Sequence, residues 1–310
     1  LVDNEEQEMS IDLKKITTEG RNPNTTNIDV LDTIDILRSI NKEDKTVAFI
    51  VENALVQITP LVDQIVQSFH LNGRLIYMGA GTSGRIGIID AVECRPTFSV
   101  SDDMVTCLMA GGEKALVKAV EGAEDSIEAA IDDLKNINLN KNDVVIGITA
   151  SGRTPYAVSG VKYAKEIGAI TGCITTSANS EIASIVDYPI EAITGPEPIT
   201  GSTRMKSGTA QKLICNLIST TSMIKMGKVY ENLMIDVQPT NQKLVSRAQN
   251  IVMEITGVSI DVALEQLQKF GSVKKAIFAL LTSIESVEEV NQYISQANGH
   301  IRNAIKLVKK

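Results

Sequence analysis

The residues best placed to do chemistry in this chain are small ones and hydroxyls. Gly79-Ala80-Gly81-Thr82-Ser83-Gly84 follows the apolar run Leu75-Ile76-Tyr77-Met78 and leads into Arg85-Ile86-Gly87-Ile88-Ile89-Asp90, where apolar residues recur at helical spacing. That order predicts a buried strand, a tight turn and a helix. The first turn of a helix has N–H groups without intrahelical partners and lies at the positive end of the helix dipole, so it favours an anion. The glycines also satisfy G-x-G-x-x-G, the pattern of dinucleotide sites, which is weakly specific by itself. Thr82 and Ser83 tilt the reading toward a terminal phosphate, because their hydroxyls can bond it directly. A glycine-rich turn that holds no ligand is the remaining alternative. A second hydroxyl-rich turn, Thr149-Ala150-Ser151-Gly152-Arg153-Thr154-Pro155-Tyr156, follows another apolar run about 70 residues on. Two such turns on one sheet are more specific than either alone. Gly81, Thr82, Ser83, Thr149, Ser151 and Thr154 are therefore the candidate phosphate ligands.

The elements that must position these turns alternate. Strands are expected at Leu75–Met78, Val105–Met109, Asp143–Ile148, Ala169–Thr175 and Tyr188–Ile193, the last toward an edge because of Pro189. Helices are expected at about Asn27–Ile40, about Asp44–Phe69 with a break or kink at Pro60, and from the first turn to about Ala91. Pro96 argues against continuation there. Further helices are expected over Glu113–Leu134, with an acidic centre, over Tyr156–Ile167, and from Gly201–Ala210 to about Met226. Alternation of this kind predicts an α/β fold with a doubly wound parallel sheet, flanked by helices and joined by right-handed crossovers. Ligands of such sheets bind beyond the C-terminal ends of the strands, where both turns fall. Ser10–Asn27 reads as an extended arm. Leu244–Lys310 reads as three or four short helices, with a turn at Asn298-Gly299 before the last. The expected division is an N-terminal arm and helix (1–45), an α/β domain that carries both turns (46–235) and a small helical domain (236–310). Leu1–Glu8 is acidic and precedes Met9, which is the expected natural start.

The 310 residues carry a formal net charge of −8, no Trp and 4% aromatics, so the core must be aliphatic, as helices packed on a parallel sheet allow. The acidic balance argues against a general nucleic-acid binder. The four Cys and two His have no metal-ligand or C-x-x-C spacing, so no metal, no cofactor and no Ser-His-Asp machinery are expected. No signal peptide or run of 18 apolar residues is apparent, so a cytoplasmic protein with no membrane partner is expected.

Five motifs occur in order: Gly79–Arg85, Glu93-Cys94-Arg95-Pro96-Thr97, Ala119–Asp125, Ala150–Tyr156 and Gly201-Ser202-Thr203-Arg204-Met205-Lys206. With them the chain resembles the sugar isomerase (SIS) domain family of phosphosugar-binding proteins, and within it the N-acetylmuramic acid 6-phosphate etherases. The resemblance runs from about Ile11 into the helical tail. It departs at Arg95, where those proteins usually have Pro, which sets a cation beside Glu93.

The resemblance implies an SIS-type sheet and a carbon–oxygen lyase that cleaves the D-lactyl ether of N-acetylmuramic acid 6-phosphate with water, giving N-acetylglucosamine 6-phosphate and D-lactate, in amino sugar recycling. It places the main acid/base on Glu93 and a second on Glu124. It also points to Lys243 as a cation for enolate charge or the lactyl carboxylate. A free glutamate titrates near about 4.3, and a general base works best when raised toward about 6–7. One geometric difficulty follows. Ten residues of continuous helix span roughly 15 Å, which would carry Glu93 away from Ser83. Either the chain folds back at Cys94–Pro96, or Glu93 serves a second subunit in a homodimer with shared sites. A phosphosugar sensor resembling the glucokinase regulatory protein, and a ketose–aldose isomerase on the same fold, are the competing readings. Neither the sensor nor a simple binding module needs Glu93 and Glu124 as acid/base groups.

Overall fold

The computed structural model describes residues 17–237 and 242–309; the start expected at Met9 and the first part of the arm, 10–16, lie outside them. Five parallel strands form one sheet: β1 (Leu75–Gly79), β2 (Val105–Met109), β3 (Val144–Ile148), β4 (Ile170–Thr175) and β5 (Tyr188–Glu191), in the order β2-β1-β3-β4-β5. The sheet is thus α/β and doubly wound, as expected. β1 runs first to β2 on one side, and the chain then crosses to β3 on the other. The strand order reverses between β1 and β3, and a crevice at such a reversal is where open α/β sheets bind ligands. Gly79 pairs with Ile148 across these two strands. The two hydroxyl turns consequently leave the sheet side by side.

Strand alternation sorts the core. Leu75, Tyr77, Ile146, Ile148 and Ile174 face one layer; Ile76, Met78, Val145 and Cys173 face the other. The first layer is covered by α2 (Val47–His70), α3 (Gly81–Phe98) and α7 (Lys206–Lys225), and the second by α5 (Ile127–Asn136) and α6 (Pro155–Ile167). Both faces of β1 and β3 are buried, which is why these strands read as unbroken apolar runs.

Several helix boundaries differ from expectation. α1 is Thr33–Asp44. α2 passes through Pro60, which is exposed, while Ile58, Leu61, Val62 and Ile65 are buried on the opposite face. An interior proline costs roughly 3 kcal/mol, and burying each of these side chains returns about 1.5–3 kcal/mol. By length and composition alone, the stretch Thr33–His70 is apolar enough to cross a membrane; one face of its α2 part, with Val51, Ile58, Leu61 and Ile65, packs in the core, while Phe49, Leu55 and Val56 are exposed. α3 likewise continues past Ala91 through Pro96, anchored by buried Cys94 and Phe98, and ends at Ser99 in the left-handed region (φ 51°). The stretch expected as one helix from Glu113 is instead broken. A single turn, α4 (Lys114–Val117), is followed by Gly122 at φ 71° and a 3-10 turn, Ala123–Asp125. The chain restarts as α5 only where Ser126 accepts a bond from the Ala129 N–H, a helix-start signal.

Beyond a short hairpin of β6 (Val229–Tyr230) and β7 (Leu233–Met234), five helices rather than three or four follow among the described residues. They are α8 (Gln242–Thr256), α9 (Ile260–Phe270), α10 (Val273–Thr282), α11 (Val287–Gln296) and α12 (Ile301–Val308), and they share an aliphatic core of their own. Asp236 holds this unit to the sheet layer, paired with Lys274 at 2.8 Å and Lys228 at 3.1 Å and accepting from Ser99 through its carbonyl.

Candidate active site

Close backbone approach dictates the glycines of the first turn. A Cβ on Gly79 would lie 2.9 Å from the Gly84 nitrogen, and one on Gly84 would lie 2.8 Å from the Gly79 oxygen. Strand and helix can meet this tightly only without side chains, and the meeting aims the first-turn N–H groups of α3 at the crevice. The second turn is a small hydrogen-bonded unit. Thr149 and Thr154 join their hydroxyls at 2.8 Å, Thr149 Oγ1 accepts the Gly152 N–H at 3.2 Å, and Ser151 Oγ accepts the Arg153 N–H at 3.3 Å. Gly152 has φ 70°, and a Cβ there would come within 2.2 Å of Ser180 Cβ. Thr154 caps α6, with Pro155 at its first position.

Gly81, Thr82, Ser83, Thr149, Ser151 and Thr154 all line one cleft of about 390 Å³. Glu124 stands exposed at its rim and also borders an adjoining chamber of about 330 Å³. Its place follows from the break at Gly122, which turns the chain back toward the sheet. Arg85 fixes that loop by donating to the Ala115 and Leu116 carbonyls at 2.6 and 3.1 Å.

Glu93 is elsewhere. It lies ten residues along an unbroken helix, roughly 15 Å of axial rise from Ser83, and lines a separate cavity of about 400 Å³ with Asp90, Asn216, Ser219 and Glu231. The chain does not fold back at Cys94–Pro96, because packing of Cys94 and Phe98 carries the helix on. Arg95 pairs with Asp102 at 2.5 Å rather than with Glu93. Lys243 is exposed in the first turn of α8 and borders neither cavity.

Several residues at these two cavities were not anticipated from sequence. The stretch expected as an extended arm forms a 3-10 turn, Thr17–Glu19, which puts Thr18 and Glu19 in the cleft wall. Asn22 donates to Glu43 and to the Pro196 carbonyl, Thr25 donates to the Pro198 carbonyl, and Glu43 pairs with buried Lys206 at 2.8 Å. Burial pushes the Glu43 carboxyl up, but bonds from Lys206, Asn24 and Asn22 outweigh it and hold the group below its ordinary value. Arg153, Gly201 and Thr203 complete the cleft. Beneath Glu93, Asp90 is buried and accepts from Tyr77, Asn216 and Ser219 at 3.0, 2.7 and 3.0 Å. Burial nevertheless raises its pKa above the ordinary carboxylate value. The four cysteines are unpaired, and no cluster of potential metal ligands occurs among the described residues.

Residues 57–165 match the family described as the glucokinase regulatory protein N-terminal SIS domain, and residues 121–220 match the SIS domain. The chain is 52% identical to an N-acetylmuramic acid 6-phosphate etherase of Bacillus cereus (strain ATCC 10987 / NRS 248) over 94% of its length and 100% of the relative. It is 52% identical to one of Geobacillus sp. (strain WCH70) over 95% of its length and 100% of the relative. Among solved structures, a phosphoheptose isomerase from Neisseria gonorrhoeae has a TM-score of 0.48 at 15% identity, over 62% of this chain and 98% of that one.

Proposed function

The chain belongs to the N-acetylmuramic acid 6-phosphate etherase family, and we propose how its two cavities divide the work of that carbon–oxygen lyase. The enzyme cleaves the lactyl ether of N-acetylmuramic acid 6-phosphate to N-acetylglucosamine 6-phosphate and D-lactate. The observation that carries the assignment of the cleft is the adjacency of the two hydroxyl turns at the β1/β3 reversal. The 6-phosphate sits there, on the first turn of α3 and the hydroxyls of Ser83, Ser151 and their neighbours. The open-chain sugar has an aldehyde at C1, which makes the C2 proton acidic. A carboxylate takes that proton, the C3–O bond breaks, and lactate leaves with a proton from an acid. Water then adds its oxygen to C3 while C2 regains a proton, so the sum is ether plus water to alcohol plus lactate.

Glu124, at the cleft rim, is one acid/base group. The other, Glu93, comes from a second copy of the chain. Its cavity shares Asn216, Thr220 and Ile224 with an apolar groove of about 640 Å³ between α2 and α7. On α2 and α3, Val56, Ile89 and Val92 are 78%, 55% and 59% exposed. Apolar exposure on this scale marks an interaction surface. A two-fold dimer would cover it and carry each Glu93 toward the partner's cleft. Lys243, exposed on α8, is a cation for the lactyl carboxylate within the same assembly. The unpaired cysteines support a reducing, cytoplasmic setting.

The activity is tested by incubating the protein with N-acetylmuramic acid 6-phosphate in deuterated, oxygen-labelled water. D-Lactate should form, with deuterium at C2 and label at C3 of the sugar. Lactate without deuterium at C2 would falsify the elimination route.

A further inference from the structure

Ser83 is the hydroxyl that the β1–α3 turn offers to an anion, yet its proton is committed elsewhere. Ser83 Oγ donates to Gln211 Oε1 at 2.9 Å across the seam between α3 and α7. Gln211 is 1% exposed and Ser83 9%. At the other end of the same amide, Gln211 Nε2 is buried with no hydrogen-bond partner among the described residues. A hydroxyl has a single proton, so while Gln211 Oε1 holds it none is left for a phosphate oxygen. The two ends of an amide have nearly the same shape, and a half-turn about the last side-chain bond exchanges them.

We infer that Gln211 is the positioning residue of the phosphate site: when a phosphate group occupies the cleft, its amide presents Nε2–H to Ser83 Oγ and so turns the Ser83 proton onto the phosphate. The exchange gives the stranded N–H a partner. It leaves the amide oxygen in the buried position instead, and an under-satisfied carbonyl is better tolerated there than an orphaned N–H. The geometry of α7 is fixed for this role. The Glu197 carboxylate accepts the backbone N–H groups of Lys206 at 2.8 Å and Ser207 at 2.9 Å, which anchors the start of the helix. A Cβ on Gly208 would lie 3.4 Å from Thr82 Cγ2, so α7 rests directly against the first turn of α3. Gln211, three residues on, shares that helical face. The second turn needs no such brace, since Thr149 and Thr154 bond each other. The inference rests on the reading of the cleft as the seat of a sugar phosphate and adds a residue that touches no substrate.

The test is a double-mutant cycle read by calorimetry, with inorganic phosphate and N-acetylglucosamine 6-phosphate as probes. Gln211→Met keeps the length and removes the donor. It should weaken both probes by roughly three- to tenfold, the worth of about one hydrogen bond, and raise KM while kcat holds. Gln211→Glu can only accept while ionised. It should weaken binding more than roughly tenfold at neutral pH and recover, relative to wild type at each pH, as acid gives it an O–H to donate. Over Ser83→Ala, Gln211→Met should change nothing further. The idea is sunk by an equal loss in that background, by unchanged affinity in Gln211→Met, or by Gln211→Glu binding phosphate as wild type does. If Gln211→Met does not fold, Gln211→Asn carries the same cycle, because it keeps the amide but withdraws it from Ser83. Lactate release by the unaltered enzyme tests the function, and the binding cycle tests Gln211, so either can fail alone.

Discussion

At its N-terminal end α3 meets the second hydroxyl turn, where nearly every polar group is already fixed by another in the same chain. At its C-terminal end the same helix, whose Ile89 and Val92 are exposed, carries Glu93 into a second cavity, with no group in this chain bonded to it among the described residues. The first end is preorganised. Strand register sets two turns side by side, and glycines with no room for a Cβ lock them. The second end has a buried floor, Asp90 with its three donors, but no roof. The difference fits the proposal that one chain completes the binding half of the site and a neighbour covers the chemical half.

The sharpest way to break this comparison is at Glu93. Glu93→Gln should lower lactate release by about 10²- to 10⁴-fold, the usual worth of a general acid/base, while affinity for N-acetylglucosamine 6-phosphate stays put. Co-refolding Glu93→Gln chains with Ser83→Ala chains should restore roughly a quarter of wild-type activity, because half the two-fold dimers are mixed and each regains one site. No recovery would return Glu93 to its own chain. Val92→Asp, which puts a charge on the apolar face, should yield monomers by sedimentation and a comparable fall in turnover, with phosphate affinity kept in each chain. An active monomer would show that the open end is complete as it stands.

At the preorganised end, Gly152→Ala forces φ 70° on alanine and drives its Cβ into Ser180. A loss of about 1–3 kcal/mol in urea titration, with weakened phosphate binding, is expected. Unchanged stability would mean that the second turn is looser than its bonds suggest. The smallest effect concerns the Glu43–Lys206 pair that holds the cleft wall to α7. The Glu43 carboxyl is held below its ordinary value of 4.5 in the folded chain, so its stabilisation is present above that pH and is lost as pH falls through the folded value. The acid arm of the stability profile should flatten in Glu43→Gln, alongside a uniform loss from leaving Lys206 buried without its partner.

β1 and β3 were legible because each is an apolar run buried on both faces; β2, a half-buried edge strand expected at Val105–Met109, also has those bounds. The glycine and hydroxyl turns were legible because their residue types admit few other backbones. Boundaries that depend on packing were not. Pro60 read as a break or kink and Pro96 as a stop, but each falls on an exposed face of a helix whose other face is buried. The helix expected through Glu124 is broken at Gly122, and that break is what carries Glu124 to the rim.

By itself the sequence determined the alternation of strand and helix and the two glycine and hydroxyl turns, because propensity, period and turn chemistry are local properties; the candidate carboxylates came from its resemblance to a family. Tertiary structure alone decided that β1 and β3 are neighbours, that Thr18 and Glu19 close the cleft, that Asn216 and Ser219 reach Asp90 and that Gln211 meets Ser83. Each of these joins residues tens to more than a hundred positions apart or sorts them onto opposite sides of a sheet. No local rule carries that information, since it arises only when the sheet order and the seating of the helices on it are fixed together.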